Sequence, residues 1–182
     1  MIKNVIPALV LALAATAFPA LAHADTLYSD FSRRGTVKIH VAPPVDATGK
    51  DQILIAEFKK SIEEALAARK SVRFAVVPSE SEADVVVESR VTGFSWTDHD
   101  PVDMIVGIGA AALDAAKVEC YARMNVTFLV KDAKSGRKLW NEALSATVTK
   151  AKMSEKESLS LINSDMAKQF VIRAFGKSKG RR

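Results

Sequence analysis

The stretch VECYARMNVTFLVK, residues 118–131, decides the fold. Val118, Cys120, Ala122, Met124, Val126, Phe128 and Val130 fall on one side of an extended chain. Glu119, Arg123, Asn125, Thr127 and Lys131 fall on the other. A period of two with one apolar and one polar side marks an antiparallel strand with one face on a core and one on water. Asp132-Ala-Lys-Ser-Gly136 follows as a hairpin loop of a length that often carries glycine in the left-handed conformation. Lys138–Thr149 then returns as the partner strand, with Trp140, Leu144, Ala146 and Val148 apolar.

Upstream, Asp84 starts a long strand to about Trp96, with Val85, Val87, Ser89 and Val91 on one side and Glu88, Arg90 and Thr92 on the other. Ser79–Ala83 is a polar turn, and Arg73–Val77 is a short strand ended by Pro78. A helix reaching about Arg69 repeats Ile55, Phe58, Ile62 and Leu66 at three- and four-residue steps, the spacing of one helical face. Thr36–Ala42 alternates around Val37, Ile39 and Val41 and stops at Pro43-Pro44, because proline cannot donate to a ladder; Asp46–Gly49 is turn chemistry. Downstream, Ser154-Glu-Lys-Glu157 is a capping box, in which Ser154 bonds an orphan N–H and Glu157 reaches back. The helix it opens carries Leu159, Ile162, Met166 and Phe170 on one stripe and ends near Gly176. The order β-α-β-β-(insert)-β-β-α predicts an α+β fold. It would be a two-layer sandwich of about five mostly antiparallel strands with two amphipathic helices on one face. Residues 36–176 form its single domain.

The 182-residue chain carries a formal net charge of +5, unevenly placed. Lys3 is the only charge in residues 1–24, residues 177–182 hold four basic side chains, and residues 25–176 hold 21 of each sign. A neutral body with a basic tail argues against a broad nucleic-acid-binding face. Met1–Ala24 reads as a secretory signal peptide: Lys3, the apolar run Val5–Ala20, and Ala22-His23-Ala24 ahead of Asp25. The expectation is cleavage after Ala24 and a periplasmic protein. No Cys follows the cleavage site, so a lipoprotein anchor is not expected. Asp25–Gly35 reads as a polar, frayed lead-in. Cys120 is the single cysteine; it has no internal disulfide partner and lies on the apolar side of its strand, as a buried, inert thiol does.

Several phrases resemble a group of bacterial envelope domains that includes the TolB N-terminal domain, the periplasmic domain of CsgG and LpoB. They are the strand with a proline-rich exit (Val37–Pro44), the helix Lys50–Arg69, SEADVVVESRVTGF (Ser81–Phe94) and VKDAKSGRKLW (Val130–Trp140). The resemblance covers most of residues 36–176 and is a pattern of fold. It implies a docking or assembly module without catalytic residues. Two departures stand out: the lipidation Cys of CsgG-like and LpoB-like members is missing, and Thr97–Lys117 is short for a membrane-spanning hairpin.

Within that insert, Met104–Ala116 (MIVGIGAAALDAA) is apolar and rich in small residues. One reading is a short helix or flap packed over the sheet. The other is a self-association or membrane-contact element through Met104, Ile105, Val106, Gly107, Ile108, Gly109, Ala111 and Leu113, since small residues let helices approach closely. Asp98, His99, Asp100 and Asp103 gather oxygen and nitrogen donors that suit a divalent metal, although Asp-rich loops equally serve as turns. Phe94, Trp96 and Trp140 read either as an aromatic recognition surface or as the closing end of a core. No G-x-S-x-G, H-E-x-x-H or phosphate-binding glycine loop occurs, so neither a catalytic site nor a cofactor is expected. The tail Lys177–Arg182 lacks the apolar residues of an amphipathic anchor. The sequence thus points to an exported, non-enzymatic interaction or assembly module of the cell envelope. Its partner would be another envelope protein or a second copy of itself, met through a sheet edge or Met104–Ala116. The alternatives are a membrane-associated assembly component using Met104–Ala116, and a small-ligand or metal-binding protein using the Asp98–Asp103 loop.

Overall fold

A computed structural model describes residues 27–49, 52–97, 120–150 and 153–176. In chain order the elements are α1 (Tyr28–Phe31), β1 (Thr36–Val41), β2 (Val45–Asp46), α2 (Gln52–Ala67), β3 (Arg73–Val76), a 3₁₀ turn (Glu80–Glu82), β4 (Val85–Thr97), β5 (Cys120–Asp132), β6 (Lys138–Lys150) and α3 (Glu155–Phe175). The fold is mixed α+β: an open six-stranded sheet in the order β3-β1-β4-β5-β6, with β2 also on β4.

The alternating strand behaves as its residues require. Cys120, Ala122, Met124, Val126, Phe128 and Val130 are all buried. β5 pairs antiparallel with β4 and with β6 along its whole length. Its loop closes on Asp132, whose Oδ1 accepts hydrogen bonds from the Ser135 N–H and hydroxyl, both at 2.8 Å. Gly136 takes the left-handed φ of 67° that the tight return demands.

Three expectations are corrected. The sheet has six strands, not five, because the chain resumes pairing beyond Pro43-Pro44. β1 pairs with Val85–Val87 and β2 with Arg90–Val91 of the same strand, so the prolines interrupt one line of pairing without ending it. The sheet is also less antiparallel than its alternation suggested. β1 pairs parallel with β3 and β4, and β2 pairs parallel with β4. Parallel neighbours need a crossover, and α2 supplies it between β1 and β3. Finally, the segment expected to fray contains a third helix: Leu27 and Phe31 are buried, the Leu27 N–H donates to the Ala174 carbonyl at 2.7 Å, and the Phe31 and Phe175 rings lie 6.0 Å apart.

The core lies between the sheet and the helices. Phe58, Ile62 and Leu66 of α2 and Ile162, Met166 and Phe170 of α3 are fully buried. Phe170 stacks on Phe128 with ring centroids 4.3 Å apart and meets Trp140 at 5.8 Å, so one α3 side chain joins two strands. A β-bulge between Val91 and Gly93 shifts the register of β4. An extra residue reverses the alternation, which is why Val85, Val87 and Val91 and then Phe94 and Trp96 all pack towards the core.

Candidate interaction surfaces

Residues 98–119 lie outside the described residues, and with them Met104, Ile105, Val106, Gly107, Ile108, Gly109, Ala111 and Leu113, together with Asp98, His99, Asp100 and Asp103. What is described is the base from which they spring. β4 and β5 remain paired out to Thr97 and Tyr121, so the chain leaves and rejoins the sheet at adjacent strand ends. Cys120 stands at that base, 5% exposed, and its Sγ accepts the Met153 N–H at 3.1 Å. The thiol therefore ties the start of β5 to the approach of α3, and its burial keeps it from solvent.

Trp140 is buried, and Phe94 and Trp96 are half-buried against the core, so all three aromatics pack on the interior. His40 is held by its Nδ1, which donates to the Val77 carbonyl at 3.1 Å and fastens β1 to the chain leaving β3. Among the described residues no group of three or more His, Cys, Asp or Glu is placed to hold a metal ion. Nor is any described helix long and apolar enough to cross a membrane.

Charge clusters on the described surface serve the fold. Lys131 lies against Glu88 and, at 3.6 Å, Glu80. The Glu88 hydrogen bond raises the ammonium pKa above its ordinary value, with partial burial opposing and the two carboxylate charges adding to the rise. The Asp132 carboxyl is held below its ordinary range, first by the Ser135 N–H and hydroxyl and then by the Lys134 N–H and the Arg137 charge, with burial opposing. Asp84 clamps β1 to β4: its Oδ2 accepts the Lys38 N–H at 2.9 Å while its own N–H donates to the Lys38 carbonyl at 2.8 Å. A groove of about 560 Å³ between α2 and α3 is lined by Ser61, Glu64, Arg69, Ser164, Lys168 and Ile172. It holds one acidic and two basic side chains among small and apolar residues.

The two edges of the sheet differ. β3 is four residues long, whereas β6 is 13 residues long and, among the described residues, has no strand on its outer side. Glu142 and Lys150 of β6 stand across from Phe128 and Cys120 and so lie on the helix-bearing side of the sheet. Each is paired with α3: Arg173 Nη2 donates to Glu142 at 2.7 Å, and Lys150 Nζ donates to Glu157. Sequence reasoning named sheet edges as a class, but which strand stands at an edge depends on strand order. The pattern of residues does not encode that order.

No protein-family model matches the sequence, and no curated protein matches it. Solved structures do share the fold. The chain is similar to the hypothetical protein CT253 of Chlamydia trachomatis, with a TM-score of 0.53 at 14% identity over 81% of this chain and 100% of the other. It is similar to PelC of Paraburkholderia phytofirmans, solved as a dodecamer, with a TM-score of 0.50 at 15% identity over 78% and 90%. It is also similar to protein XCC0632 of Xanthomonas campestris, of family model DUF330, with a TM-score of 0.51 at 10% identity over 78% and 86%. At these identities the likeness is one of fold.

Proposed function

We propose that this is an exported, non-enzymatic interaction module of the bacterial cell envelope, working by self-association or by binding another envelope protein. The observation that carries the reading is the 13-residue β6 edge, which among the described residues is unpaired on its outer side at the rim of the sheet. Such an edge offers a row of main-chain donors and acceptors to an added strand, a route to binding that needs no reactive group. The dodecameric PelC, which shares the fold, supports assembly as a use of this architecture. The leader Met1–Ala24 supports a periplasmic location after cleavage. The resemblance of Ser81–Phe94 and Val130–Trp140 to TolB-, CsgG- and LpoB-like domains supports the envelope setting. Met104–Ala116, in the stretch that joins β4 to β5, is the second contact element in this reading.

The test is affinity capture from envelope extracts with the mature chain as bait, alongside sedimentation of the purified chain. A stable complex, with itself or with a defined envelope protein, is expected. A strictly monomeric chain that retains nothing would overturn the reading. Ala111→Arg reports on the second element, since loss of association by this variant alone would assign contact to the insert. Flotation with liposomes would transfer the chain to the membrane-associated reading, and a divalent ion retained in native mass spectra to the Asp98–Asp103 reading.

A further inference from the structure

We propose that β6 is a self-complementary docking edge, where two copies of this chain pair their β6 strands antiparallel about a two-fold axis at Ala146. The inference rests on the interaction-module reading and names its partner. An exposed edge is ordinarily protected by being short, by carrying charge or by being covered. β3 is short, but β6 has 13 residues, and the only register shift in its pairing with β5 lies at the hairpin end, between Val130 and Lys131. Its protection is charge: Glu142 within the strand, on the helix-bearing side, and Lys138 and Lys150 at its two ends. A charge inside an edge strand bars indiscriminate pairing and admits the register that places an opposite charge across from it.

Antiparallel pairing about Ala146 is such a register over residues 142–150, whereas pairing about Trp140, which sets Lys138 against the partner's Glu142, overlaps only residues 138–142. Pairing about Ala146 sets Glu142 against the partner's Lys150, at both ends of the paired segment. Leu144, which is buried, then faces the partner's half-buried Val148 on the same side. On the opposite side Ser145 faces the partner's Thr147, and Ala143 the partner's Thr149. Hydroxyl pairs and opposite charges directly across a ladder are the favourable combinations. Moving the axis to Leu144 would instead place Lys138 against the partner's Lys150. A two-fold axis normal to the sheet keeps α3 of both copies on one side. The Arg173–Glu142 pair then meets the partner's Lys150–Glu157 pair in a line of alternating sign.

Sedimentation velocity on the exported chain and its variants tests the proposal. The wild type is expected to dimerise, and Lys150→Glu to weaken the dimer at least tenfold by setting two carboxylates across from each other. Glu142→Lys combined with Lys150→Glu is expected to restore most of that loss, which general damage to the strand would not do. A Ser145→Cys chain mixed with a Thr147→Cys chain is expected to cross-link through dibromobimane into a dimer, more efficiently than either variant alone. Circular dichroism checks that each variant is folded. A monomeric wild type overturns the inference, as does a dimer that the charge reversal leaves intact, that the exchange fails to restore, or that leaves positions 145 and 147 uncross-linked. If the chain is monomeric but still captures a different envelope protein, this inference falls and the interaction-module reading stands. If it captures nothing, both fall.

Discussion

Asp132 accepts hydrogen bonds from the Lys134 N–H, the Ser135 N–H and the Ser135 hydroxyl, so Asp132→Ala removes three contacts from the β5–β6 hairpin at once. The variant is expected to unfold at lower urea concentration near neutral pH. Because folding lowers the Asp132 pKa, the stabilisation is complete above the ordinary aspartate value of 3.8 and is lost as pH falls through the lower folded value. Urea midpoints of wild type and variant should therefore converge in strong acid. Gly136→Ala, at a φ of 67°, should cost about 1 kcal/mol in the same assay, since a Cβ is disfavoured there. The left-handed glycine could be read from Asp132-Ala-Lys-Ser-Gly136, where loop length dictates local geometry. Asn163 could not be. It sits between the apolar positions Ile162 and Met166, is fully buried, and its amide makes no hydrogen bond within the described protein. A polar residue in an apolar stripe gives no sign of which way it turns.

The helix α3 joins the layers, and its start and its centre make separable contributions. The Ser154 hydroxyl accepts the Glu157 N–H at 3.2 Å, the expected half of the capping box, while the Glu157 carboxylate pairs across to Lys150 of β6. Ser154→Ala should cost about 1 kcal/mol of unfolding free energy, as loss of a helix N-cap does. Phe170→Ala should cost about 3–5 kcal/mol by opening a cavity against Phe128 and Trp140; denaturant titration followed by circular dichroism measures both. At this scale the apolar faces of α2, β1, β4, β5 and β6 were legible, because burial imposes the periods of 3.6 and two. The parallel direction of β1 was not, since a strand with one exposed face alternates whichever way its neighbours run. The two-residue β2 and four-residue α1 were too short to show a period, and they owe their places to Val91 of β4 and Phe175 of α3.

For the whole molecule, the coarse architecture followed from the order of amphipathic segments: helices over one face of a sheet. Strand order did not, and the candidate edge therefore became visible only in three dimensions. The buried thiol supplies a test of the assembled fold. Cys120 should resist a thiol reagent under native conditions and react fully in denaturant, with a native rate that tracks the stability of the β5 and α3 junction. Fast native labelling would show that the junction opens independently of the rest.

The pairing of Thr97 with Tyr121 has a further consequence. Neighbouring strands stand about 4.8 Å apart, a gap that a two-residue turn bridges. Replacing residues 98–119 by Asn-Gly leaves a three-residue loop, Asn-Gly-Cys120, between the paired Thr97 and Tyr121, and should leave the melting temperature within a few degrees of its original value. Doubling the length of such a loop costs only about 0.6 kcal/mol. The frame can accordingly carry cassettes of very different size, and descendants of this chain are free to rewrite that segment while every interior residue described above stays as it is.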